Sequence, residues 1–437
     1  MKTAVRPFHA FDESRPLTGA NRYFESPAAL LAPRGPAADD GAAHGRWIAQ
    51  VLSMCGALDW PAPRPRVHAH EAGVMLVFAA PLQALVTATE LNEWAWERAA
   101  ASHPQQASAG FVLCHPAGED ARAHFRTRAA AEASGPLAPL RAAAASRGLP
   151  WLEDPQTVSI GEGQGSVVYA RAALPLPMDV PWPRLHGVPK VLVTGSHGKT
   201  TTTRLLAAMA AAAGFNPGQC NTDGLWVGAD IVMQGDCSGP AGARAVLRHP
   251  DVTVAVLETS RSGIVQHGLA VRQAELVVLT NARADALLEH GIDSEQDIAD
   301  THFALAHAVA ATGTLVFNGA DESLLRAAVH LPQVAAVPWA LFAGDHDASV
   351  PAALRRRGGS TCGARAGRLI LSLAGQEHDL GPLAEMPLSP SGAALHNVEN
   401  LAAAALAAAL LGWPLDAVRQ VLLRFDALAQ DCPDRPP

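Results

Sequence analysis

The 437-residue sequence is short of several things, and each shortage removes a class of protein. Only three of its 33 basic residues are lysines (Lys2, Lys190 and Lys199), and none follows Lys199. The bases are outnumbered by 41 acids, giving a net charge of −8, so a basic nucleic-acid-binding surface is not expected. No apolar run reaches the roughly 18 residues that a membrane span needs, because charged or polar residues break every alanine stretch. The opening MKTAVRPFHAFDESRP has no hydrophobic signal core. Six cysteines (Cys55, Cys114, Cys220, Cys237, Cys362 and Cys432) include no CxxC pair, so neither a zinc site nor a disulfide framework is signalled. With 17% charged and 49% hydrophobic residues, disorder is excluded and a large core is available. At about 100–200 residues per domain, the length suits two or three domains of a water-soluble, cytoplasmic protein.

Organisation follows from periodicity. Residues 73–80 read as a strand, 82–101 as a helix, and 120–147 carry helical spacing. Trp47, Trp60, Trp94 and Trp96 read as core, since no regular basic residues interleave them. PLPMDVPWP at 175–183 holds four prolines, which neither continue a helix nor donate to a sheet ladder, and marks a linker. Beyond it the pattern changes. Residues 188–194, 252–257, 276–280 and 314–318 are unalternating, β-branched runs. They are separated by helical stretches at 201–213, 239–248, 295–311 and 398–411. That alternation implies an α/β fold with a parallel sheet buried on both faces. An antiparallel strand is expected at 368–373 and a last helix at 414–428. The expected domains are a smaller α+β N-terminal domain at 1–173, a linker at 174–186, an α/β domain at 187–428 and a linker remnant at 429–437.

The run from 191 to 194 leads into Gly195, Ser196, His197, Gly198, Lys199, Thr200 and Thr201, and then into a helix. This is a GxxGK[ST] loop, shorter than the general GxxxxGK[ST] form. Its glycines let backbone N–H groups turn toward a phosphate, the helix N-terminus adds partial positive charge, and Lys199 reaches the β- and γ-phosphates. The Thr200 hydroxyl is placed for Mg²⁺. ATP and Mg²⁺ are the expected cofactors. His197 is read as filling a variable position, with a phosphate contact as the alternative.

Further blocks surround this loop. They are NTDG at 221–224, GDCSGP at 235–240, ARAVL at 243–247, LETSRSGI at 257–264, Thr280-Asn281, GID at 291–293 and HNVEN at 396–400. In this order, over about 187–425, they resemble the Mur ligase family, and within it the Mur-ligase-like part of the cyanophycin synthetases. LTGANRY at 17–23, RGLPW at 147–151 and IGEGQG at 160–165 resemble the N-terminal part of those synthetases. Their intervening ATP-grasp module has no room here, because about thirty residues separate Gly165 from the loop. The resemblance implies ATP-dependent amide formation through an acyl phosphate. It makes Glu258, at the end of a buried strand, the Mg²⁺ carboxylate, and assigns Asn281, Asn397 and Asn400 to the nucleotide. Capping of a helix is the alternative for the last two. Asp223 either orients a metal-bound water or, preferably, caps a turn. Arg261 is read either as a contact to γ-phosphate or substrate carboxylate or as a surface arginine.

Three departures accompany the resemblance. The family's Asp-His pair, whose histidine holds a second metal, is here Asp285-Ala286. A methyl group ligates nothing. His290 is a candidate substitute, although a surface-loop histidine is the preferred reading. Where a carbamylated lysine is common in the family, this sequence has His302. The family's C-terminal domain is expected beyond Phe425, where only Asp426–Pro437 follows. The expected function is therefore an ADP-forming, Mur-type carboxylate–amine ligase. Its substrates are ATP and an amino acid or peptide, and it associates as a homo-oligomer or with a related synthetase. The rival expectation is a degenerate nucleotide-binding protein that acts as a partner or regulator.

Overall fold

Unalternating apolar runs and alanine-rich helices build the larger part of the chain as a wide, covered sheet. The computed structural model describes residues 10–103, 113–284, 291–389 and 394–425. It divides into two units. The first is Met1–Leu140 with Val265–Leu269 and Ala286–Ser294, and the second is Arg141–Ile264, Ala270–Asp285 and Glu295–Pro437.

The first unit carries a four-stranded antiparallel sheet of Phe11–Leu17, Ala28–Pro33, Gly73–Ala79 and Arg66–His70, in that spatial order. Helices Gly41–Ala57 and Leu85–Ala101 contribute to a core with Trp47, Phe78, Trp96 and Phe125. Trp47, Trp94 and Trp96 are core, as read from the sequence, while Trp60 is only partly buried against it; Trp47 Nε1 donates to Asn92 Oδ1 at 2.9 Å and Trp96 Nε1 to the Ala10 carbonyl at 2.7 Å. The helical stretch expected at 120–147 is two helices, Gly118–Ala133 and Ala138–Ala145, because Gly135 and Pro136 interrupt it.

Among the described residues of the second unit, eleven strands form one sheet. Its central part is parallel and contains Pro217–Cys220, Val254–Glu258, Lys190–Thr194, Ala274–Leu279, Val309–Asn318, Trp339–Asp345 and Thr361–Arg365 in spatial order. Antiparallel strands extend both edges: Gly224–Val227 and Asp230–Gln234 on one side, Arg368–Leu373 and Gln376–Pro382 on the other. Every residue of Lys190–Thr194 and of Val254–Glu258 is buried, as a sheet covered on both faces requires. Helices Lys199–Ala212 and Leu395–Leu410 share a core with this sheet through Leu205, Leu206, Met209, Leu401 and Leu406. The small side chains of the second helix let it approach closely.

Three expectations need correction. The helix expected at 295–311 stops at His302, continues as a 3₁₀ turn over Phe303–Ala308, and gives way to the strand Val309–Asn318. Pairing of Val309 with Ala274 starts that strand and overrides the helical preference of an alanine-rich run. The last helix is Leu415–Leu422, and the residues expected to form a linker from 429 lie outside the described ones. The expected domain boundary near 173 is not where the chain divides. The three-stranded sheet Trp151–Glu153, Thr157–Ile160 and Val167–Ala170 goes with the second unit. It is joined there by an Arg248–Asp154 ion pair and by Gly163, whose α-carbon leaves no space for a methyl against the Val252 carbonyl (2.3 Å).

Candidate active site

Parallel sheets bind ligands at the carboxyl ends of their strands, where loops and helix N-termini converge. Strand Lys190–Thr194 ends there, and the chain turns through Gly195–Gly198 into the helix that starts at Lys199. Gly195 and Gly198 have φ of +138° and +82°, which L side chains adopt at a cost. Each is also crowded. A Cβ on Gly195 would lie 2.0 Å from Thr280 Oγ1, and one on Gly198 would lie 2.2 Å from Asn400 Oδ1. The glycines are thus required by close packing as well as by chain direction.

Asn281 commits much of the loop. Its carbonyl accepts from the Ser196 N–H at 3.0 Å, its Oδ1 accepts from the His197 N–H at 2.9 Å, and its Nδ2 donates to the His197 carbonyl at 3.0 Å. Thr280 Oγ1 donates to the same carbonyl at 2.6 Å. The Ser196 hydroxyl is held by the backbone of Arg283. Ser196 and His197 therefore shape the loop, with their N–H groups turned to protein, and His197 is exposed. The helix N-terminus that follows the loop, at Lys199–Thr201, opens on the same end of the sheet, and the first turn of a helix offers N–H donors to a ligand. The Lys199 ammonium donates to the Ser196 carbonyl at 2.8 Å.

Glu258 ends the neighbouring strand and is 1% exposed. Its Oε2 accepts from Thr200 Oγ1 at 2.8 Å, while Oε1 is buried with no hydrogen-bond partner. The Thr200 hydroxyl in turn accepts from Thr222 Oγ1 at 3.0 Å. Burial pushes the Glu258 carboxyl up, against the Thr200 hydrogen bond and the Lys199 charge, which favour the ionised form. A buried carboxylate oxygen without a partner beside a threonine hydroxyl is a hard-oxygen donor set. It fits Mg²⁺, which takes one or two protein ligands and completes its shell with phosphate and water. Among the described residues there is no group of three or more His, Cys, Asp or Glu that could hold a metal ion.

The remaining candidates separate. His302 is wholly buried, with Nδ1 3.0 Å from Thr194 Oγ1. Burial, then the charges of Lys199 and Arg261, push its imidazole down to about 3; Arg261 opens the helix Arg261–His267. The turn at Asp223 is capped by Asn221, whose Oδ1 accepts from the Asp223 N–H at 2.9 Å and the Gly224 N–H at 3.3 Å, whereas the half-exposed Asp223 carboxylate lies 3.6 Å from Arg204. Asn397 Nδ2 donates to the Leu388 carbonyl at 2.7 Å and anchors a loop, whereas Asn400 is buried against Gly198. His290, with Asp285 and Ala286, lies outside the described residues. Thr194, Thr222 and Thr280 were not singled out as site residues from the sequence. In a run of interchangeable threonines only the position in three dimensions tells the useful hydroxyls from the rest.

Residues 193–408 match the family model of the Mur ligase middle domain, and the chain therefore carries a domain of the Mur ligase family. Its curated relatives are more particular. It is 32% identical over 248 residues to a cyanophycin synthetase of Trichormus variabilis, which covers 57% of this chain and 27% of that protein. It is 30% identical over 240 residues to a UDP-N-acetylmuramoylalanine--D-glutamate ligase of Symbiobacterium thermophilum, covering 54% of this chain and 44% of that one. The structure of a UDP-N-acetylmuramoyl-L-alanyl-D-glutamate--2,6-diaminopimelate ligase aligns with 55% of this chain and 46% of its own, at 19% identity and a TM-score of 0.42. The chain spans about a quarter of the length of the cyanophycin synthetase it matches. Among the described residues no helix is long and apolar enough to cross a membrane.

Proposed function

We propose that this chain is an ATP-dependent, ADP-forming carboxylate–amine ligase of the cyanophycin-synthetase type, acting in the cytoplasm on an amino acid or peptide. The observation that carries the reading is the Thr200–Glu258 contact with its partnerless Oε1, set one residue from Lys199 at the carboxyl end of the sheet. Thr200 and Glu258 would hold Mg²⁺, which when bound neutralises charge on the phosphates. Lys199 and the first helical turn orient the terminal phosphoryl group and draw charge from it, and positioning with electrostatics is most of what phosphoryl transfer asks of a protein. The substrate carboxylate displaces ADP from the terminal phosphorus, and the amine then displaces phosphate from the acyl carbon.

Phosphate release tests this. ADP formation that rises only when an amino acid and an acidic acceptor are both present supports ligation. Tight ATP binding without turnover in any amino-acid mixture refutes ligation and leaves a nucleotide-binding partner protein.

A further inference from the structure

His302 has no role in the reaction just described, yet it is one of the most enclosed polar groups of the second unit. It ends the helix Glu295–His302 and is 0% exposed. One ring nitrogen is bonded and the other is not: Nδ1 lies 3.0 Å from Thr194 Oγ1, and Nε2 is buried with no hydrogen-bond partner. Among the described residues that ring nitrogen is also the single partner of the Thr194 hydroxyl.

The tautomer follows from counting partners. If Nδ1–H donated to Thr194, the hydroxyl hydrogen and the Nε2 lone pair would both be buried and unmatched. If the Thr194 hydroxyl donates to Nδ1, only the Nε2–H remains unmatched. A buried polar group left without a partner costs about 1–3 kcal/mol, so the second arrangement holds and Nε2 carries the proton. The ring is neutral, since burial and the nearby Lys199 and Arg261 charges depress its pKa to about 3. Its surroundings decide what it faces. An imidazole N–H, an ammonium and a guanidinium are all donors, and none of the three can accept. A protonated Nε2 also has no lone pair for a cation. Two cations act on the ring from nearby, and the occupant that suits a buried, unmatched N–H in that positive surrounding is an oxyanion.

Thr194 ends the strand that runs straight into Gly195, which puts the oxyanion at the phosphate loop. We infer that His302 binds the terminal phosphoryl group of a nucleoside triphosphate through Nε2–H and thereby sets a preference for triphosphate over diphosphate. This rests on the nucleotide reading above and adds a residue and a selectivity to it. The same chemistry explains why a histidine works at a position for which the sequence resemblance implies a carbamylated lysine: the chain supplies a neutral donor to the phosphate where that group would ligate a cation.

The test is calorimetric titration of the whole chain with Mg·ADP and with Mg·AMP-PNP, for the native protein, His302→Leu and His302→Gln. His302→Leu is expected to weaken AMP-PNP roughly tenfold, the value of one hydrogen bond to a charged group, and to leave ADP within twofold. His302→Gln, whose amide N–H₂ extends to a similar place, recovers most of the loss. Equal weakening of both nucleotides assigns His302 to structure and overturns the inference, as does no change in either. Counting bound Mn²⁺ by electron paramagnetic resonance separates the remaining alternative. Two ions in the native complex and one in His302→Leu would make the histidine a metal ligand, and the inference falls. A native chain that binds neither nucleotide takes the nucleotide reading down as well, whereas the other failures remove this assignment alone.

Discussion

The strand Lys190–Thr194 starts on one lysine and leads through the glycine turn to another, Lys199, and the surroundings of the two are built on opposite terms. At its start Lys190, 7% exposed, donates to Glu162 Oε2 at 2.6 Å and to the Val188 carbonyl at 2.9 Å, while its own N–H donates to Glu275 Oε2 at 2.6 Å. Burial still pushes the Glu162 carboxyl up, more than the neighbouring ammonium pulls it down. At the far end Lys199, Glu258 and His302 surround the loop without completing one another: Glu258 Oε1 and His302 Nε2 are both buried and unmatched. Buried polar groups are nearly always paired. The starting end is therefore a closed fastening, and the finishing end carries buried polar groups whose hydrogen bonds the protein leaves unmade.

The largest effect should come from the closed end. Lys190→Met leaves Glu162 buried and alone, which costs about 3–5 kcal/mol in urea unfolding, and folded protein should keep its nucleotide affinity. Adding Glu162→Leu should return much of that loss. If Lys190→Met instead weakens nucleotide binding and spares stability, the contrast between the ends is wrong. Lys199→Ala is the mirror experiment. It should lower AMP-PNP affinity about 10- to 100-fold, as for a charge-assisted contact, and shift the unfolding free energy by less than about 1 kcal/mol. An unchanged affinity would detach the loop from phosphate.

Gly198→Ala comes next, at about 1–2 kcal/mol for a side chain at φ of +82°, with weakened nucleotide binding because the loop must shift away from Asn400. Asn400→Ala in the same chain should recover the crowding part and leave the dihedral part, read by thermal unfolding. The smallest effect sharpens the open end. Because burial raises the Glu258 pKa, the folded state holds a proton that the unfolded state releases, so native stability falls as pH rises through the window above the ordinary carboxylate value of 4.5. Glu258→Gln should remove that slope. It should also remove the rise in Mg²⁺-dependent nucleotide affinity across the same window. Parallel pH profiles for the two proteins would contradict the placement of Glu258 in the site.

Much of this was legible from residues alone. Strand, glycine turn, lysine and helix are local features, and β-branched runs such as VAVLE at 254–258 announce buried parallel strands. Strands Pro217–Cys220 and Trp339–Asp345 were not legible, since PGQC and WALFAGD carry little β-branched signal and exist because neighbouring strands pair with them. The site divides in the same way. Lys199, Thr200 and Glu258 stand out by type and spacing. The clamp formed by Thr280 and Asn281 and the approach of Asn400 to Gly198 join segments more than eighty residues apart, and no window of sequence contains them.

The sealing of Lys190 by Glu162 also makes the protein unusually simple to footprint. Of three ε-amines in the sequence, that of Lys190 is sequestered in an ion pair and that of Lys199 lies in the loop, so acylation of Lys199 should fall when a ligand occupies it. Mass spectrometry of the labelled peptides then reads occupancy of the nucleotide loop directly. Shielding of Lys199 is read by comparing labelling with and without ligand, with no engineered tag or reporter.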